Sequence, residues 1–216
     1  MAMQALVPVF DPVANHPTDK VPVVGINPMY IVPYATDLTI SEKLFSLSEC
    51  SLSVTDSYGN LMFKIKSKFF SIRDRRVLLG PDDTPIVTFQ QKILTAHRRW
   101  QVFRGESTDP RDLLFSVKKS SLIQFSTKLD VFLASNTKET TADFRVSGSW
   151  FQRSCTIKMG DSNTVIAQMH KKFDAASIIL DKDSFVVTVY PFVDYALIVT
   201  LVAILQEINA DRNGDD

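Results

Sequence analysis

The run Tyr195-Ala196-Leu197-Ile198-Val199-Thr200-Leu201-Val202-Ala203-Ile204-Leu205 has no charge and constrains the fold more than any other stretch of the chain. Asp194 stands just before it. A carboxylate at that position caps a helix by accepting from the unpaired amides of the first turn. No polar face appears until Gln206, so the predicted helix, about 194–208, is apolar all round and must be buried on every side. The run is shorter than the ~20 apolar residues that cross a bilayer, which favours a core helix over a membrane span. Its β-branched residues are no obstacle where packing supplies the stability.

The rest of the chain must supply the enclosure. From Thr36 onward it consists of short apolar runs separated by turn signals. A first strand is expected around 38–44. Leu52 to Thr55 and Leu61 to Lys66 flank Asp56-Ser57-Tyr58-Gly59-Asn60 and read as a hairpin. Arg73 to Leu79 turns through Gly80-Pro81-Asp82-Asp83 into Pro85 to Gln90. Further pairs are Arg99 to Phe103 with Leu113 to Lys118, Leu129 to Leu133 with Asp143 to Ser147, and Cys155 to Met159 with Val165 to His170; Phe185 to Tyr190 ends the series. About a dozen strands at this spacing imply a sandwich or closed barrel. A sheet protein that must enclose an apolar helix is most simply a barrel wrapped around it. The runs starting at Leu61, Leu113 and Val165 each follow an aspartate-bearing turn and end in a basic residue or histidine. Duplication and ordinary hairpin chemistry account for this weak repeat equally well.

Three regions follow: an arm over 1–35, one domain over 36–209, and an acidic tail over 210–216. The arm holds Pro8, Pro12, Pro17, Pro22, Pro28 and Pro33, a density that blocks both helix and ladder pairing, so a mobile or extended segment is expected. The N-terminus lacks the early positive charge and unbroken apolar run of a signal peptide, and no lipidation motif is legible. Lys plus Arg equals Asp plus Glu at 24 each, so no net field draws the whole molecule to nucleic acid or membrane. Two cysteines, Cys50 and Cys155, are too few for a secreted scaffold; two free thiols are expected, and spacing alone leaves a bridge between them open.

Several motifs are long and ordered: Asp74-Arg75-Arg76-Val77-Leu78-Leu79, Arg99-Trp100-Gln101-Val102-Phe103-Arg104-Gly105 and Lys128-Leu129-Asp130-Val131-Phe132-Leu133. With Asp143-Phe144-Arg145-Val146, Gly148-Ser149-Trp150, Val187-Thr188-Val189-Tyr190-Pro191 and Val193-Asp194-Tyr195-Ala196, they resemble the plant LURP-one-related proteins over roughly 28–209. The resemblance implies a twelve-stranded barrel around a central C-terminal helix, and kinship with the tubby C-terminal domain and the phospholipid scramblases. It also implies links to plant defence, and its fold relatives point to phosphoinositide binders and membrane-tethered transcription factors. Fold kinship alone is a weak warrant for function.

The strongest candidate site is basic. Lys64, Lys66 and Lys68 recur at period two, as do Arg73 and Arg75, with Arg76 beside them. Side chains at that spacing share one face of a strand, and neighbouring strands would form a cationic patch for an anionic headgroup such as a phosphoinositide. A solvated, charged barrel exterior is the plainer account of the same residues. His97-Arg98-Arg99 beside Trp100 could stack a base, although a strand tryptophan more often belongs to the core. The segment Asp181-Lys182-Asp183-Ser184-Phe185 is similar to the scramblase calcium segment, and Asp181 and Asp183 fit its opening; Val186 stands where the loop wants glycine. No serine-hydrolase elbow, Walker loop or zinc-protease motif occurs, and His16, His97 and His170 are scattered. The expectation is a monomeric binding domain without a cofactor, cytoplasmic and peripheral at the plasma membrane or nuclear. Its partner is an anionic lipid, or alternatively a signalling protein; nucleic acid ranks third.

Overall fold

The computed structural model describes residues 21–46, 49–67, 75–92, 99–120, 127–149, 153–171 and 184–213. Twelve strands are formed: β1 (Thr36–Ser46), β2 (Glu49–Thr55), β3 (Leu61–Ser67), β4 (Arg76–Leu79), β5 (Pro85–Lys92) and β6 (Arg99–Arg104), followed by β7 (Leu113–Lys119), β8 (Thr127–Leu133), β9 (Phe144–Ser149), β10 (Ser154–Met159), β11 (Val165–Lys171) and β12 (Phe185–Val189). Each pairs antiparallel with its sequence neighbours, and β1 pairs with β12, from Thr36↔Val189 to Ile40↔Phe185, to close the barrel. Closure leaves no edge strand with unpaired backbone groups.

Period-two alternation sends one side of every strand inward. Leu38, Ile40, Val54, Phe63, Leu78, Phe89, Trp100, Phe115, Val131 and Val187 are among the buried inner side chains. They surround the helix α1 (Tyr195–Asn213), whose residues 196–205 are all at most 2% exposed. Burying each Leu, Ile or Val side chain contributes about 1.5–3 kcal/mol, which outweighs the few tenths that β-branching costs a helix. Thr200, the one hydroxyl in that run, donates to the Ala196 carbonyl at 2.8 Å. The helix continues to Asn213, so the first part of the expected acidic tail is its last turn. No helix among the described residues is long and apolar enough to cross a membrane.

The repeat is visible as geometry. Strands β3, β7 and β11 are seven residues each and start at 61, 113 and 165, two equal steps of 52. Each pairs with the preceding strand in one register. Val54↔Phe63, Val102↔Phe115 and Ile157↔Ala167 are each followed by a shift that sets Thr55, Phe103 and Lys158 opposite Leu61, Leu113 and Val165. The β4–β5 hairpin, outside this period, makes the same shift, with Leu78↔Val87 followed by Leu79↔Pro85, so ordinary hairpin chemistry accounts for the irregularity as well as duplication does.

The expected arm is different over 21–34. Val23 and Ile26 are buried in the core, Val23 bridges Val193, and Ile31 bridges Asp194. The segment forms no α-helix or barrel strand, only a 3-10 turn over Pro28–Tyr30 and two isolated bridges, yet its amides find another acceptor. Asp194 Oδ2 takes the amides of Gly25, Ile26 and Asn27 at 3.2, 2.7 and 3.0 Å. Its Oδ1 takes those of Ala196 and Leu197, both at 3.1 Å, and so caps α1. Burial pushes this carboxyl above its usual range while the amides pull it back. Gly25 lies against Leu197, where a Cβ would meet Cδ1 at 2.7 Å.

Cys155 is a free, buried thiol on the inner face of β10; the side chain of Cys50 lies outside the described residues. Burial pushes the Cys155 thiol up to about 12. At pH 8 only on the order of one thiol in ten thousand is then ionised, and the thiolate is the reactive form. In a Cys50→Ser protein, a disulfide reagent should therefore label Cys155 only after denaturant is added. Rapid stoichiometric labelling of the folded protein would contradict this.

Candidate functional site

Strand register decides which of the basic residues meet. In an antiparallel pair, opposed side chains share a face. Lys64 lies opposite Leu79 and Lys66 opposite Val77, while Ile65, between them, lies opposite Leu78 in the core. Lys64 and Lys66 therefore stand on the outer wall. Arg76 is opposite Phe89, a core residue, and so faces inward. Its guanidinium pairs with Glu207 near the C-terminal end of α1. Lys68, Arg73, Asp181 and Asp183 lie outside the described residues, as do His97 and Arg98.

The expected single patch is thus divided, and Arg76 belongs to the link between barrel and helix. The cause is alternation along β4, which sets Arg76 on the inner face and Val77 on the outer wall beside Lys66. A strand beginning at Arg73 would have carried the period-two run into the sheet, but β4 begins at Arg76. Arg75, just before it, donates through Nη2 to the Glu106 carbonyl. On the outer wall, the Lys64 and Lys66 ammoniums both reach Asp83 Oδ1, at 2.8 and 3.2 Å. They hold the Asp83 carboxyl below the usual range. Asp83 sits in the β4–β5 turn with φ 65°.

A second cluster of this design was missed in the sequence. Glu139, in the β8–β9 loop with φ 48°, receives both terminal nitrogens of Arg99 at 2.7 Å and the Lys118 ammonium. Arg99 Nη1 also lies 3.3 Å from Ser116 Oγ, and Lys118 Nζ lies 5.0 Å from the centre of the Phe132 ring. Trp100, next to Arg99, is 1% exposed in the core, so it offers no surface on which a base could stack. The aromatic beside Arg99 drew attention to the wrong partner; Glu139, forty residues along the chain, carried no motif.

His170 Nε2 lies 3.0 Å from Thr188 Oγ1, and that hydroxyl donates to Asp37 at 2.6 Å. Nucleophile activation needs the hydroxyl to give its proton to the imidazole, with the carboxylate behind the ring. Here the hydroxyl lies between the two and its proton goes to the carboxylate. Among the described residues no three potential metal ligands stand together.

A closed antiparallel barrel of twelve strands filled by an apolar C-terminal helix, with clustered charges on its outer wall, defines the structural class. The family model for LURP-one-related proteins matches residues 36–206, from the first residue of β1 into α1. The chain belongs to this family. It is 50% identical over 195 residues to protein LURP-one-related 15 of Arabidopsis thaliana, covering 90% of each chain. It is 47% identical to LURP-one-related 10 of the same plant, covering 88% of this chain and 98% of that one. Protein LURP1, also from Arabidopsis thaliana, is 42% identical over 87% of this chain and 90% of its own. An X-ray structure of an Arabidopsis thaliana protein matches with TM-score 0.69 at 44% identity, over 86% of this chain and 98% of that one.

Proposed function

We propose that the chain is a non-catalytic, monomeric binding domain that takes an anionic headgroup, such as that of a phosphoinositide, on the outer wall of β3 and β4. The observation that carries this reading is the convergence of Lys64 and Lys66 on one carboxylate oxygen of Asp83. Two ammoniums aimed at one oxygen form a point-charge site that a phosphate oxygen fills in the same way. Arg75 adds a guanidinium whose acceptor is a neutral carbonyl. The domain then works peripherally at the cytoplasmic face of the membrane.

Sedimentation with vesicles of phosphatidylcholine, with and without phosphatidylinositol bisphosphate, tests this. The expected result is binding only to the phosphoinositide vesicles, weakening as salt rises. Each basic residue near an anionic surface contributes about 1 kcal/mol, so Lys64→Glu with Arg75→Glu should lower partitioning at least ~30-fold. Equal binding to both vesicles, or no loss in the double variant, would sink the reading.

A second reading, a protein-interaction adaptor, is favoured by one observation. Val21, Met29, Tyr34 and Tyr58 are 72, 69, 62 and 90% exposed, and their segments lie at the end of the barrel where α1 begins. Aromatic and methionine side chains are enriched at protein interfaces. Met29→Asp with Tyr58→Asp would abolish a partner complex under this reading and leave vesicle binding unchanged under the first.

A further inference from the structure

We propose that Arg99 and Lys118 form a second anion site, for a phosphate-bearing ligand, and that Glu139 closes it as an internal substitute ligand. This second site lies beyond the β3–β4 wall and involves none of its residues.

The cations are fixed by the barrel. Trp100 pairs with Val117, so Arg99 and Lys118, one position further along each strand, stand side by side on the outer wall. Like charges placed across a strand pair repel, and the arrangement is favourable only with an anion between them. The surroundings match what a phosphate requires: a guanidinium fork and an ammonium on one acceptor group, with the Ser116 hydroxyl accepting from the guanidinium and fixing it. Asp130 lies opposite Lys118 on β8 but is engaged by Arg145 at 3.2 Å, so Glu139 is the carboxylate that Arg99 and Lys118 share, and a doubly charged phosphate would offer them more charge than it does. Phe132 backs the Lys118 ammonium and fixes its position.

The anion now present comes from a different kind of element. Glu139 belongs to the 134–143 loop, and its neighbours Lys138, Thr140 and Thr141 are exposed. Its backbone holds φ 48°, a conformation that side-chain-bearing residues adopt only when something else holds them there. The Glu139 amide bonds Asn136 Oδ1 at 3.1 Å, and Asn136 Nδ2 in turn bonds the Thr141 carbonyl at 2.8 Å, so the loop is organised around presenting this side chain. A half-buried loop carboxylate on two strand-fixed cations, held at a positive φ, can be exchanged for an external anion without disturbing the sheet.

Calorimetric titration of the full chain with inositol trisphosphate, inorganic phosphate, and phosphatidylcholine vesicles with or without phosphatidylinositol bisphosphate tests this. Glu139→Gln removes the internal anion and keeps the shape. It should bind at least one phosphate probe about ten-fold more tightly than the natural chain, and adding Arg99→Gln should remove the gain. A gain with inorganic phosphate alone identifies a free-phosphate site; one confined to headgroup or vesicle identifies a lipid. The gain should survive Lys64→Glu with Arg75→Glu, which separates this site from the β3–β4 wall. Hydrogen exchange on the natural chain gives a measurement that needs no variant: saturating probe should speed exchange in 134–143. Unchanged affinity in Glu139→Gln for every probe, or unchanged loop exchange at saturation, would overturn the proposal.

Discussion

Asp194→Ala should destabilise the protein by about 3–5 kcal/mol, the combined cost of a lost helix cap and of amides left without an acceptor. Asp194 is 0% exposed, and its two oxygens accept five amide hydrogens from two segments of chain. A lost helix cap alone costs ~0.5–2 kcal/mol. The larger expectation comes from the amides of Gly25, Ile26 and Asn27, which alanine would leave without an acceptor against the apolar start of α1; each such group costs ~1–3 kcal/mol. Asp194→Asn should be milder but still destabilising. One side-chain oxygen survives, while the new NH2 group points at amides that also donate. Denaturant unfolding followed by circular dichroism measures both. The order natural, Asn, Ala is expected, with hydrogen exchange faster at residues 23–27 than in β6 or β7. A loss under about 1 kcal/mol in Asp194→Ala would mean that water or backbone rearrangement replaces the carboxylate.

How far the sequence carries depends on the range of the interaction concerned. The barrel was legible because its signals are local: alternation within each run, a turn of Asp, Gly and Asn between runs, and a cap before the helix. All twelve strands lie where those signals put them, and the apolar length of the helix decided between core and membrane. The register of Lys64 and Lys66 was legible for the same reason. Arg76 was not, because it stands next to Arg75 in Arg73-Asp74-Arg75-Arg76, and only its pairing with Phe89 and its reach to Glu207 show that it takes the inner face. The segment 21–34 escaped because its amides bond to a residue 168 positions away in the Ile26 case, and no local pattern marks that. The prolines kept α-helix and barrel strand out of it, apart from a 3-10 turn over Pro28–Tyr30, but could not say whether the backbone would be free or held. Glu139 escaped because a left-handed glutamate has no sequence signature, whereas Asp83, in a Gly-Pro-Asp-Asp turn, at least occupies a predicted turn.

Gly148→Ala is the second substitution with a large expected effect, and comparison with Gly59→Ala identifies the cause. Both glycines lie in the positive-φ region, Gly148 at 142° and Gly59 at 84°. The conformational penalty for a side chain there is ~1–2 kcal/mol. Gly59 is in the exposed β2–β3 turn, and nothing lies within 4 Å of the place a Cβ would take, so that penalty should be its whole cost. At Gly148 a Cβ would stand 2.1 Å from the Ser154 carbonyl oxygen and 2.7 Å from Cys155 Cα. Those are backbone atoms of the paired strand and cannot rotate away. Gly148 pairs with Cys155 on β10 and with Thr127 on β8. In an open sheet the outer strand could slide or splay; in a closed barrel β10 is held by β11 as well, so room for the methyl must come from breaking β9–β10 pairs. Overpacking of this kind adds about 1–3 kcal/mol to the conformational term. The total for Gly148→Ala should therefore be about 2–5 kcal/mol, read as a fall in the denaturant midpoint, against ~1–2 kcal/mol for Gly59→Ala. Equal losses in the two variants would show that backbone conformation, rather than the close approach of β9 to β10, is what requires glycine at 148.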